Sequence, residues 1–163
     1  MSAGQPFPGN IDESSEQFTV SVSRSIRATP ERIWRIIGTA EGMRSWMNML
    51  NWQARPGGRM LIDSSGSTEA ERLLVFGRVL QIEEQRLVRM SWRVLHEDGR
   101  LWPDSTEVQI SLEEEAGTTL VRLVHSGFEK LAQFQVDAYS VYHHCWVQAP
   151  YLQRLENEEG ARA

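Results

Sequence analysis

The sequence is poor in several features that would have announced a function. It holds one cysteine, Cys145, so no disulfide can form within the chain, and a reducing cytoplasm is the compartment expected. Basic residues are outnumbered, 17 against 22 acidic ones, for a net charge of −5. No Lys/Arg cluster is interleaved with aromatics, so no nucleic-acid partner is expected. No apolar run approaches the roughly 20 residues that span a bilayer, and no membrane partner is expected either. The opening stretch, "MSAGQPFPGNIDESSE", lacks the basic-then-apolar plan of a signal peptide, and residues 1–16 read as a flexible tail. Also missing are an internal repeat, a carboxylate pair, a Ser/His/Asp set and a glycine-rich phosphate loop.

What is there is tryptophan. Trp34, Trp46, Trp52, Trp92, Trp102 and Trp146 are an excess for 163 residues, and rings of this size either fill a large core or wall a cavity for a flat apolar ligand. Around them the chain alternates. Phe18, Val20 and Val22 share one strand face. Thr29 then caps a helix with Pro30 at its first position, Ile33, Trp34 and Ile37 on one side and Gly38 at its end. "AEGMRSWM" reads as a second short helix. Strands follow at Arg59, through "RLLVFGRVLQI" with a bulge or bend expected at Gly77, through "RLVRMSWRVL", and through "STEVQISLEE" with Val108, Ile110 and Leu112 inward. A turn at Ala116-Gly117 leads into the last strand, "TTLVRLVHSGF". Consecutive alternating strands with short loops predict one antiparallel sheet, its dry face covered by a helix from Leu131 to Glu156.

Within that helix stands "SVYHHCWVQAPYLQRLE". At 100° per residue, Phe134, Ala138, Val141, Tyr142, Cys145, Ala149 and Leu152 gather on one stripe, with Trp146 just off its edge. His143 and His144 splay apart and neither converges with Cys145, so no metal site is expected. Cys145 reads as a small buried hydrophobe. Pro150 removes a donor and clashes one turn back, which predicts a kink.

The order of elements and five motifs resemble the START/Bet v 1-like (SRPBCC) superfamily, in the branch of homologues of a heat-shock chaperone's ATPase activator. The motifs are "ATPERIWRIIGTAEGMRSWM", "RPGGRMLI", "GRVLQIEEQRLVRMSWR", "EEEAGTTLVRLVHSGF" and, more loosely, "HHCWVQAPYLQRL". The likeness covers about residues 17–157, with residues 158–163 left as a C-terminal tail. Cys145, where the family usually has Gly, and Pro150, where it usually has Leu, depart from the pattern. The resemblance implies an α+β helix-grip fold: a curved antiparallel sheet wrapped around a long C-terminal helix, with two short helices after the first strand. It also implies a cavity between sheet and helix.

The residues expected to line that cavity are Trp46, Met60, Ile62, Met90, Trp92, Trp102, His125, Phe128, Tyr142 and Trp146. His125 alternates with Val121 and Leu123, which leaves two readings, one on their inward face and one as a strand-end histidine bonded to a neighbouring loop. The expected partner is a small hydrophobic ligand, polycyclic aromatic or polyketide-like, held without a cofactor by a monomer or homodimer. The role would be carriage, sequestration or self-resistance in antibiotic biosynthesis. Two alternatives stand beside it. One is a polyketide cyclase/aromatase using His125 and Tyr142, which requires the two side chains within about 6 Å of each other. The other is a chaperone co-factor.

Overall fold

The structure is a computed structural model that describes residues 18–63 and 73–162. The expected tail of residues 1–16 and the polar loop of residues 64–71 lie outside these. The chain runs β1 (Val20–Ile26), α1 (Pro30–Ile37), α2 (Ala40–Met47), β2 (Met49–Trp52), β3 (Arg59–Asp63), β4 (Leu73–Glu83), β5 (Leu87–His96), β6 (Thr106–Glu115), β7 (Thr118–Ser126), α3 (Glu129–Ala132), α4 (Tyr139–Gln148) and α5 (Tyr151–Arg162). All seven strands form one antiparallel sheet in the order β1-β7-β6-β5-β4-β3-β2, with the helices over its dry face. This is the helix-grip arrangement that the resemblance implied.

Local chemistry accounts for most boundaries. The Thr29 hydroxyl accepts from the Arg32 amide at 3.3 Å, and Thr39 caps α2 by accepting from the Gly42 amide at 3.1 Å. Ala116 and Gly117 take φ of 43° and 88°, the two positive values that a tight hairpin turn matched to strand twist demands. The short β2 was not foreseen. Its four residues carry no clean alternation, and a register shift between Met49 and Asn51 breaks the pattern further. The bulge expected at Gly77 falls instead between Val79 and Gln81. Gly77 has another reason to be glycine, since an added Cβ would come to 1.8 Å from the Ser91 carbonyl oxygen.

The covering helix differs from expectation in three ways. It begins only at Tyr139, because Gln135 takes φ of 62° and breaks the helical periodicity before it. It is interrupted at Ala149-Pro150, where Ala149 is extended, so α4 and α5 are separate helices rather than one kinked rod. And α5 continues to Arg162, so residues 158–162, expected as a tail, are helical. Glu159 within this last part is buried and pairs with Arg32 of α1 at 2.6 Å.

These breaks also turn the stripe. Ala138, Tyr142 and Leu152 are buried as expected, but Phe134 and Val141 are exposed and Cys145 is only half-buried. The face that meets the sheet is carried by Tyr142 and Trp146, one turn apart. The Trp46 indole donates to the Tyr151 carbonyl at 2.8 Å and so ties α2 to the first residue of α5.

Candidate functional site

The deepest part of the molecule is an aromatic cluster centred on His125. Strand β7 places this histidine opposite Val20 of β1 and Val108 of β6, and it is fully buried. Around it stand Phe128 at 4.3 Å, Tyr142 at 4.9 Å, Trp92 at 5.5 Å and Trp146 at 6.1 Å between ring centres. Trp102 reaches the cluster through Tyr142, edge to face at 5.8 Å.

The hydrogen bonds within the cluster determine the state of each member. The Trp146 indole N–H donates to His125 Nδ1 at 3.0 Å, and an indole can only donate, so Nδ1 carries no proton. The remaining proton sits on Nε2, which donates to Thr106 Oγ1 at 2.7 Å. Thr106 in turn gives its hydroxyl hydrogen to the Trp92 carbonyl at 3.0 Å. The Trp92 indole N–H completes the set by donating to the Tyr142 hydroxyl at 3.0 Å. Every ring nitrogen of His125 is therefore used. Burial pushes its pKa from 6.5 down to about 3, and it is neutral at physiological pH. Burial likewise raises the Tyr142 hydroxyl above the ordinary tyrosine value, only partly offset by the Trp92 donor.

This arrangement bears on catalysis. His125 and Tyr142 are within the 6 Å that the cyclase reading required. Proximity is met, but a general base needs a free lone pair, and the one lone pair of neutral His125 is held by Trp146.

Of the remaining lining residues inferred from sequence, Met60 and Met90 are fully buried in the core, Trp46 is turned to Tyr151, and Ile62 packs half-buried at the β3 edge. Nine of the ten lie in or against one apolar core with the buried His125 among them, and Trp92, Trp102, His125, Phe128, Tyr142 and Trp146 are linked by ring contacts between sheet and helix.

Open space lies at the mouth. A hollow of about 270 Å³ opens between the ends of β4 and β5, the loop that carries Trp102, and the segment 135–142. Its inner wall is Val94, Trp102, Ala138 and Tyr142, and its rim includes Arg100 and Asp137. Trp102 is held there by its own backbone, whose amide donates to the Val94 carbonyl at 3.0 Å and whose carbonyl accepts from Arg93 Nε at 2.8 Å. A second hollow of about 260 Å³, reaching Phe18 and Phe128, lies on the other side of residues 135–137. Sequence reasoning missed Thr106 and residues 135–137. Extending the inward series Val108, Ile110, Leu112 back by two residues would have found Thr106. Nothing in the sequence points to the segment, whose place depends on the positive φ at Gln135.

Among the described residues no group of three or more His, Cys, Asp or Glu could hold a metal ion, and no helix is long and apolar enough to cross a membrane.

Comparisons place this geometry among known proteins. A search of curated protein sequences returned no match. Among solved structures, protein MLL2253 from Mesorhizobium loti superposes with a TM-score of 0.69 at 24% identity, over 89% of this chain and 98% of that one. The Aha1 dimer from Colwellia psychrerythraea gives 0.62 at 20% identity, over 85% and 93%. DynU16, from the dynemicin biosynthetic locus, gives 0.61 at 15% identity, over 86% of this chain and 46% of that one. At these identities the likeness is one of fold. The sequence itself goes further: residues 27–155 match the family described as Activator of Hsp90 ATPase homolog 1-like protein, and the chain belongs to that family.

Proposed function

We propose that the protein is a cytoplasmic binding module for a flat, hydrophobic small molecule, polycyclic aromatic or polyketide-like, taken up at the mouth between the sheet and α4. The observation that carries this reading is the hollow of about 270 Å³ walled by Trp102, Tyr142, Val94 and Ala138, close in size to the smaller ligand pockets of proteins. Two edge-to-face aromatic walls suit a planar ligand better than an acyl chain. The role is carriage, sequestration or self-protection rather than conversion, since His125 has no lone pair to act with. The origin of DynU16 in a biosynthetic locus is in keeping with such a role.

Thermal unfolding against fatty acids, sterols and flat polycyclic compounds tests the reading. A ligand present at 100 times its dissociation constant adds about 2.7 kcal/mol, a rise of about 5–11 °C in Tm at about 2–4 °C per kcal/mol for a domain of this size. The rise is expected with flat polycyclic compounds and should vanish in Val141→Trp, which fills the hollow from an exposed wall position. No shift with any compound, or a shift that survives Val141→Trp, overturns the reading in favour of a protein partner such as a chaperone. Sedimentation velocity with and without ligand separates monomer from homodimer, the state named for the Colwellia relative.

A further inference from the structure

Among the described residues, two buried donors without a hydrogen-bond acceptor share one place. Four of the six indole N–H groups are satisfied: Trp46 by the Tyr151 carbonyl, Trp52 by the Ile37 carbonyl, Trp92 by the Tyr142 hydroxyl and Trp146 by His125. The Trp102 N–H has no acceptor among the described residues, although only 4% of the residue is exposed. The Tyr142 hydroxyl accepts from Trp92, but its own hydrogen has no acceptor among the described residues, with 9% of the residue exposed. Both side chains wall the same hollow, with ring centres 5.8 Å apart. A buried donor without a partner is costly, because it has given up water and gained nothing in return, and such groups in native proteins call for an explanation.

We infer that the hollow is built for a planar aromatic ligand bearing a ring carbonyl oxygen, which accepts from the Tyr142 hydroxyl and the Trp102 indole N–H. The inference rests on the binding reading above and adds the polar chemistry of the ligand to it. Both donors are neutral and the inner wall beside them is apolar, so a neutral carbonyl oxygen suits the hollow better than an anion, whose desolvation these groups would not offset. The Tyr142 hydroxyl keeps its proton because burial raises its pKa, and it remains a donor throughout the working pH range. A site built to bond an oxygen discriminates against the analogue that lacks it, because the donors are then left unpaired.

The test uses a matched pair of probes, 9-fluorenone and fluorene, titrated calorimetrically into the full chain. Wild type is expected to bind fluorenone about tenfold more tightly than fluorene, a difference of about 1.4 kcal/mol. Tyr142→Phe and Trp102→Phe, which keep an aromatic ring and remove one donor each, should narrow the ratio of the two affinities severalfold, each variant being compared through its own fluorenone-to-fluorene ratio. Because Tyr142→Phe also frees the Trp92 N–H, a second readout is taken on wild type. The infrared carbonyl band of ¹³C-labelled fluorenone should move to lower wavenumber when bound, as it does on accepting a hydrogen bond. Equal affinity for the two probes, or an unshifted carbonyl band, overturns the inference and leaves the binding reading in place. Failure of both probes, together with failure of every flat compound in the thermal panel, overturns both.

Discussion

A fully buried histidine with both ring nitrogens engaged titrates only if a bond breaks. His125 is in this position, with its pKa lowered from 6.5 to about 3. Between these values the unfolded chain binds a proton that the folded protein refuses, so stability falls as pH falls through this window. The contribution is fully present above about pH 6.5 and is lost toward pH 3, with a slope approaching about 1.4 kcal/mol per pH unit. Denaturant midpoints measured from pH 7 to pH 4 should show this slope in wild type and a shallower one in His125→Gln, where the position no longer titrates. Equal slopes would place the acid sensitivity elsewhere. The same bonds explain why this histidine, an attractive catalytic candidate in the sequence, serves to orient Trp146 and Thr106. Alternation with Val121 and Leu123 offered an inward place for His125 beside a strand-end one, and the structure buries it. What bonds it there was invisible, because Trp146 lies 21 residues away and Thr106 lies 19 away.

Among the elements, β4 and β5 run closest where Gly77 meets Ser91. The Arg78 amide bonds the Ser91 hydroxyl at 2.9 Å, and an added methyl at Gly77 would press on the Ser91 carbonyl, a backbone atom with little freedom to yield. Gly77→Ala should therefore lower stability by about 2 kcal/mol or more, read as a lower midpoint of urea unfolding at unchanged slope. An unchanged midpoint would mean that the strands part more readily than their geometry suggests. The helical elements show a second kind of constraint. Pro150 predicts a disturbance of the covering helix, and the sequence locates it correctly. That the disturbance is a full break depends on Trp46, whose indole meets the Tyr151 carbonyl, and on the ion pair of Arg32 and Glu159 that seats α5 against α1. Phe134 and Val141 were assigned to the buried stripe on the assumption of unbroken periodicity from residue 134, and the positive φ of Gln135 removed that assumption.

At the scale of the molecule, one continuous core links the sheet with α1, α2, α4 and α5. Strand β1 is locked to β7 from the far end of the sequence, and the Thr119 hydroxyl on β7 holds the Ala28 carbonyl at 2.6 Å, 91 residues away. The aromatic cluster joins β5, β7 and α4 through Trp92, His125, Tyr142 and Trp146. Unfolding is expected as a single transition, in which near-ultraviolet circular dichroism from the tryptophans and far-ultraviolet circular dichroism from the backbone coincide. A tryptophan signal lost before the backbone signal would mean that the cluster loosens on its own, as a readily opened ligand cavity would.

By itself the sequence determined the elements and the family of folds. Period-2 alternation, the cap at Thr29, the turn at Ala116-Gly117 and a disturbance of the helix at Pro150 act over a few residues and can be read from neighbours. It also determined that the aromatic residues gather on the inner face. Only the tertiary structure decided what they do there. Whether ten large side chains line a space or fill it depends on volumes summed across β3, β5, β7, α2 and α4, and on bonds between residues up to about a hundred positions apart. Most of them pack into the core, and the open space lies at the mouth, where Trp102 and Tyr142 keep two donors without acceptors among the described residues.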